Sequence, residues 1–164
     1  KKTMRQLIAG QGWNWKENNI KKFLGKAGIH HVPIEYVDHH ESHAAYGYYT
    51  SPYRDAAVVV LDSIGEFETF TIWHGHGNKL EKKYTQNYPH SIGLFYSAMT
   101  QRVGLKANAE EHKFEQLAKK GYWRKYYRMF MEELVETRMP FKTRINFHRG
   151  CNWWRPELLS LIHI

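Results

Sequence analysis

The run Ala56-Ala57-Val58-Val59-Val60-Leu61, closed by Asp62, constrains the fold more than any other part of this sequence. Six residues are too few for a buried helix, and three of them are β-branched, so the run predicts a strand. Because it is continuous rather than alternating, it predicts a strand covered on both faces. Helices are available to cover it. Asp38 is a candidate N-cap for a helix over His39–Tyr49, which Ser51-Pro52 ends. Ser91–Val103 is amphipathic, with Ile92, Phe95 and Met99 on one face. Glu110–Lys119 and Tyr122–Glu136 follow, separated by Gly121. Phe67–His74 and Leu80–Gln86 predict two more strands, joined through Gly75-His76-Gly77-Asn78. Upstream, Val32, Ile34 and Tyr36 suggest a short strand, preceded by a helix that Gly10–Gly12 interrupts and that improves over Asn19–Gly25. This order implies α/β or α+β with one substantial sheet.

Charge and cysteine use narrow the function classes. Lys and Arg number 24 against 16 Asp and Glu in 164 residues, a net charge of +8 that favours anionic partners: nucleic acid, nucleotide or phosphate. A single cysteine, Cys151, excludes an internal disulfide framework and fits a reducing, cytoplasmic setting. With no visible base partner it is not read as a nucleophile. No apolar run approaches the length of a membrane span. The closing hexapeptide Leu159-Ser160-Leu161-Ile162-His163-Ile164 reads as the translation of a sequencing-library adapter, which leaves 1–158 as the expected domain, incomplete at both ends.

The densest chemistry lies in Asp38-His39-His40-Glu41-Ser42-His43. On a helix, His39 and His43 stand one turn apart on one face, about 6 Å along the axis, and can share a metal ion. His40 points elsewhere. The zinc-protease pattern fails, because position 44 is Ala44. A carboxylate is the usual complement to two imidazoles, and Asp62 ends the predicted strand, where α/β folds place ligands. In Asp62-Ser63-Ile64-Gly65-Glu66 the small Ser63 and Gly65 would let backbone N–H groups approach an anion. The bland alternative is a polar helix start and a turn-forming aspartate.

Other candidates carry less. His90 precedes a helix that Ser91 would cap, and is either a turn residue or faces a site. His74 and His76 read as solvated residues beside a hairpin turn. Tyr122-Trp123-Arg124-Lys125-Tyr126-Tyr127-Arg128 could stack bases and bind phosphates, or could be an amphipathic helix with solvated cations. His148-Arg149-Gly150-Cys151-Asn152-Trp153-Trp154 is distinctive without suggesting a role.

Four blocks, in order, resemble the N-terminal domain of the O-carbamoyltransferase family, with its nodulation-factor, antibiotic-tailoring and phage-encoded members. They are Tyr36–Ala45, Ser51–Glu66, Tyr88–Ala98 and Asn108–Lys113, and the resemblance runs from Ile34 to Gly121, more than half the chain. The resemblance implies an actin-like, sugar-kinase-like (ribonuclease H-like) α/β domain. It implies ATP-dependent O-carbamoyl transfer, in which a C-terminal domain makes carbamoyl-adenylate from carbamoyl phosphate and ATP. The first domain would then pass the carbamoyl group to a hydroxyl of a small-molecule or nucleoside acceptor. It further implies a divalent metal, iron in the family, on His39, His43 and Asp62. Ser63, Gly65 and Glu66 would line the nucleotide or carbamoyl site, with Glu111 and Lys113 near ribose or phosphate. Two alternatives stay open: a relative of the enzymes that put threonylcarbamoyl on tRNA, and a basic nucleic-acid-binding module. Departures from the family pattern fall at Ser63, Glu110 and Phe114–Gly121, where expected glycines are missing.

Overall fold

The computed structural model describes residues 19–30, 32–138 and 140–151. The break expected at Gly10–Gly12 and the closing hexapeptide lie outside them. Backbone over 19–26 is helical (α1). There follow α2 (His39–Tyr49), β1 (Asp55–Gly65), β2 (Glu68–His76), β3 (Lys79–Asn87), α3 (Ile92–Arg102), α4 (Glu111–Ala118), α5 (Arg124–Glu133), β4 (Val135–Thr137), β5 (Lys142–Thr143) and a 3-10 turn at Phe147–Arg149. β1, β2 and β3 form an antiparallel meander, and β4 pairs with β5 separately. The β2–β3 turn is the two residues Gly77-Asn78, between the paired His76 and Lys79. Gly77 has φ 57°, the positive value that such tight hairpin turns demand.

Three expectations need correction. Val32, Ile34 and Tyr36 belong to no strand. A strand exists by pairing, and none of the described strands takes this segment as a neighbour. The predicted helix Tyr122–Glu136 stops at Glu133, because Val135 instead pairs with Thr143. Most consequentially, β1 is not covered on both faces. Val60 is buried, while Val59 and Leu61 remain 55% and 56% exposed. α2 and α3 both pack against β1, and the alternate residues face away from the core.

The core has two parts. Ala44 of α2, Val60 of β1 and Trp73 of β2 pack together between helix and sheet, with Val58 and Leu80 at the margin. Ala98 and Met99 of α3 meet Leu134, Phe147 and Cys151, flanked by Phe95, Phe114 and Phe130. Ile92, at the first turn of α3, is 43% exposed and does not join the predicted face with Phe95 and Met99. The second cluster accounts for the stretch around His148. Phe147 and Cys151 are apolar anchors that return the chain to α3, and the Cys151 thiol donates to the Ala98 carbonyl at 3.4 Å.

Burial pushes the Cys151 thiol up to about 11, against an ordinary 9.0. Ionisation would leave a charge in an apolar cluster. The native protein should therefore react with a disulfide-exchange thiol reagent at pH 8 at least 100-fold more slowly than the unfolded chain does. Stopped-flow absorbance would show this. The folded pKa is raised, so this stability contribution is intact below about pH 9 and is lost as pH rises toward 11.

Candidate metal centre

Three buried residues of the eleven in α2 decide where its histidines go. His40, Ala44 and Tyr48 are buried at four-residue spacing, one stripe of the helix. His39 and His43 form the adjacent stripe, which Gly47 continues onto Val58 of β1. The helix end is fastened by the Tyr48 hydroxyl, which donates to the Arg54 carbonyl at 2.8 Å. At the start, Asp38 occupies the N-cap position. Its carbonyl accepts the Ser42 N–H at 2.9 Å, but its carboxylate makes no capping bond, contrary to the sequence expectation.

β1 supplies the carboxylate in an unexpected way. Asp62 does not end the strand, which continues to Gly65. The β1–β2 register holds as far as Leu61 opposite Phe70 and resumes at Gly65 opposite Glu68. Asp62, Ser63 and Ile64 thus face the single residue Thr69. Such a bulge bends a strand and re-aims its side chains, and here it turns Asp62 toward α2. Asp62 Oδ2 lies 2.7 Å from His39 Nε2. His39 Nε2 lies 3.0 Å from His43 Nε2. The ligand atoms of all three residues fall within 4.8 Å of one another. The Ser63 N–H donates to Asp62 Oδ1 at 2.6 Å, which holds the carboxylate plane and leaves Oδ2 for the histidines. That N–H is therefore engaged by the Asp62 carboxylate.

The donor set fits a divalent transition metal. Two imidazole nitrogens and one carboxylate oxygen suit zinc, iron or their neighbours, and bonds of 2.0–2.2 Å put adjacent ligand atoms about 3 Å apart. The side chains of His39 and Asp62 remain 41% and 29% exposed, so the cluster opens to solvent on one side.

His40 locks the arrangement from beneath. Its Nδ1 is 2.9 Å from the Thr71 hydroxyl. The Trp73 indole N–H donates to the same oxygen at 2.8 Å, which leaves the Thr71 proton for His40. Burial lowers the pKa of His40, against the opposing pull of Glu68 and Asp62, so this ring is kept neutral. Gly65 makes room for both rings. A Cβ there would stand 2.5 Å from His40 Cδ2 and 2.6 Å from His39 Cδ2. Its role in the described geometry is to admit the histidines.

The other predicted residues group along α3. Ser91 caps that helix as expected, accepting the Leu94 N–H at 3.1 Å. Its own hydroxyl donates to the Ser63 carbonyl at 2.8 Å, a contact the sequence did not suggest. Gly93 presses on the Ser63 backbone so closely that a Cβ would come within 2.8 Å of it. One turn further along the same face, the Ser97 hydroxyl donates to Asn108 Oδ1 at 3.0 Å and lies 3.5 Å from Glu111 Oε1. α3 thus carries Ser63 and Glu111 on one face, about 6 Å apart along its axis. Glu111 Oε1 also accepts the Asn108 N–H. Lys113 forms an exposed ion pair with Glu110. Glu66 is exposed in the β1–β2 turn, at φ 60°. His90 is a structural residue: its Nδ1 accepts the Thr143 N–H at 3.2 Å, joining β5 to the foot of α3. In the Tyr122–Arg128 stretch, Arg124 lies over Trp123 and Lys125 over Tyr126, each 5.2 Å from the ring centre, so cations occupy faces that a base would need.

Residues 2–154 match the model of the carbamoyltransferase N-terminus, and the chain belongs to that family. It is 38% identical to the uncharacterized protein sll1178 of Synechocystis sp. over 114 residues, 70% of this chain and 18% of that protein. It is 29% identical to the uncharacterized protein MJ1058 of Methanocaldococcus jannaschii, covering 63% of this chain and 21% of that protein. The chain thus spans about a fifth of the length of the curated relatives it matches.

Two substitutions test this geometry. Ser91→Ala removes a cap and the link to Ser63, and should cost about 1–2 kcal/mol in denaturant unfolding. Gly93→Ala forces the helix off the Ser63 backbone and should cost about 1–3 kcal/mol. Wild-type stability in either variant would contradict the packing of α3 on the bulge.

Proposed function

We propose that this chain is the metal-binding, acceptor-side part of an ATP-dependent O-carbamoyltransferase, with an actin-like domain as its frame. The observation that carries this reading is the convergence of His39, His43 and Asp62 in a chain of the carbamoyltransferase N-terminal family. Those three residues would hold a divalent cation, iron in the family that the sequence resembles. Bound there, the cation would offset phosphate charge and orient the carbamoyl carbonyl.

In the full-length protein a further domain would hydrolyse carbamoyl phosphate to carbamate and phosphate, and join the carbamate oxygen to the ATP α-phosphorus with loss of pyrophosphate, giving carbamoyl-adenylate. The acceptor hydroxyl oxygen then bonds to the carbamoyl carbon and gives up its proton to solvent, the bond from that carbon to the AMP phosphate oxygen breaks, and AMP leaves. The acceptor is a small molecule or a nucleoside. The chain's own residues bind and orient. Ser63 and Gly65 would line the nucleotide or carbamoyl site beside Asp62, and Glu66 would reach it from the exposed β1–β2 turn. Glu111 spends Oε1 on Asn108 and Ser97, which leaves Oε2 to accept from a ribose hydroxyl. Among the described residues the Lys113 ammonium is held by an exposed ion pair with Glu110, and such pairs contribute about 0–1 kcal/mol. A nucleotide phosphate can therefore take the ammonium at little cost.

In the full-length protein, His39→Ala and His43→Ala should each lose bound iron and lower carbamoyl transfer by about 100-fold or more. Metal analysis and transfer of labelled carbamoyl phosphate to hydroxyl acceptors would read both. Iron content and transfer at wild-type levels would overturn the ligand set. Lys113→Ala should raise the KM for ATP about 3–10-fold with kcat little changed, the sign of lost uniform binding.

A further inference from the structure

A second histidine–carboxylate cluster lies at the other end of the β1–β2 ladder. β2 alternates, so His74 and His76 project from the same face, the one opposite Thr71 and Trp73. Asp55, at the first position of β1, pairs directly with His76, while Ala57 pairs with His74. The carboxylate therefore stands beside both rings. Asp55 Oδ1 is 3.2 Å from His74 Nε2, and Oδ2 is 2.6 Å from His76 Nδ1. The three ligand atoms all fall within 4.8 Å of one another.

We infer that Asp55, His74 and His76 form a divalent-cation site, independent of the His39 cluster, that takes zinc or a similar borderline metal. The donor chemistry is the usual one for such ions: two imidazole nitrogens and a carboxylate oxygen, with remaining positions open to water. The His-x-His spacing on a strand presents two rings side by side, and the paired strand delivers the carboxylate between them. Ala57 opposite His74 offers no bulk to displace the ring. Across β3, Glu81 pairs with His74 and Lys79 with His76. Glu81 adds negative charge, although it also pairs with Lys83 at 2.7 Å. Lys79 adds a positive charge that limits affinity. The two imidazoles already hold the Asp55 carboxyl below its usual range, His76 contributing most.

The site is separate from the first. Asp55 and Asp62 are seven residues apart on β1, which is about 23 Å of extended strand. A cation at Asp55 would clamp the start of β1 to the end of β2, next to the Gly77-Asn78 turn. Bound to the folded state alone, it would stabilise the ladder by an amount that rises with the logarithm of the free cation concentration above its Kd.

The test is titration of the metal-free full-length protein with Zn²⁺ against a competing chelator, with Co²⁺ absorption as a second readout. His74→Ala/His76→Ala is compared with wild type and with His39→Ala/His43→Ala. The expected result is loss of one equivalent of zinc in the 74/76 variant, in both the wild-type and the 39/43 backgrounds. The zinc-dependent rise in Tm should vanish with it. Because the count is a difference at these two residues, it holds or fails whether or not the His39 cluster binds metal. Equal stoichiometry with and without His74 and His76 would overturn the site and leave the rings as partners of Asp55 alone. These side chains are exposed. Should the double variant misfold, Asp55→Asn gives the same readout through loss of the carboxylate.

Discussion

The Ser91 hydroxyl joins the two halves of this fold. It accepts the Leu94 N–H at the start of α3 and donates to the Ser63 carbonyl in the β1 bulge. One buried oxygen therefore sets both the direction of a helix and the exit of a strand. Gly93 completes the joint by letting the helix backbone meet the Ser63 backbone. From the opposite side, His40 is pinned to Thr71, and Thr71 to Trp73, so α2 is fixed on the same sheet. Asp62 lies between these two fastenings. Its approach to His39 follows from where the bulge can go once both helices are seated, and the Ser63 N–H holds the carboxylate in that pose.

Much of this was legible in the chain. Four-residue spacing put His39 and His43 on one helical face, and His40 on another, as observed. Ser91 announced its cap, and Gly75-His76-Gly77-Asn78 announced a hairpin whose turn narrows to its last two residues. The misses share a cause. β1 has a continuous apolar sequence, yet only alternate residues are covered, because a run of valines states what a strand could bury and not what its neighbours supply. Asp62 at the end of that run suggested a strand terminus. The register slip against Thr69 that moves it into the site depends on β2 and leaves no local mark. Val135 had a helical pattern behind it and was claimed instead by Thr143.

His74 and His76 illustrate the same limit. In sequence they were two histidines near a hairpin, and their partner Asp55 stood about twenty positions away. The pairing of β1 with β2 creates the cluster. The period-two spacing of the histidines and an aspartate opening the preceding strand were the available signals, and they acquire meaning only once the register is known. Glu111 and Lys113 show the reverse. Their motif suggested ligand contacts, and within the chain they take part in ordinary helix-start chemistry, with Asn108 and Glu110 as partners. The net charge of +8 does not distinguish these uses, since it counts cations without their neighbours.

β1 carries one more consequence. Among the described residues it pairs only with β2, and the Ser91 hydroxyl reaches the Asp62 and Ser63 carbonyls near its end. Along β1, Val59 and Leu61 lie more than half exposed. A bare edge flanked by branched apolar side chains is a template for strand addition between molecules. A chain in which nothing covers that edge can add strands between molecules as it is concentrated. The segment best suited to sit at the centre of a sheet is also the one that governs how the polypeptide behaves in a test tube.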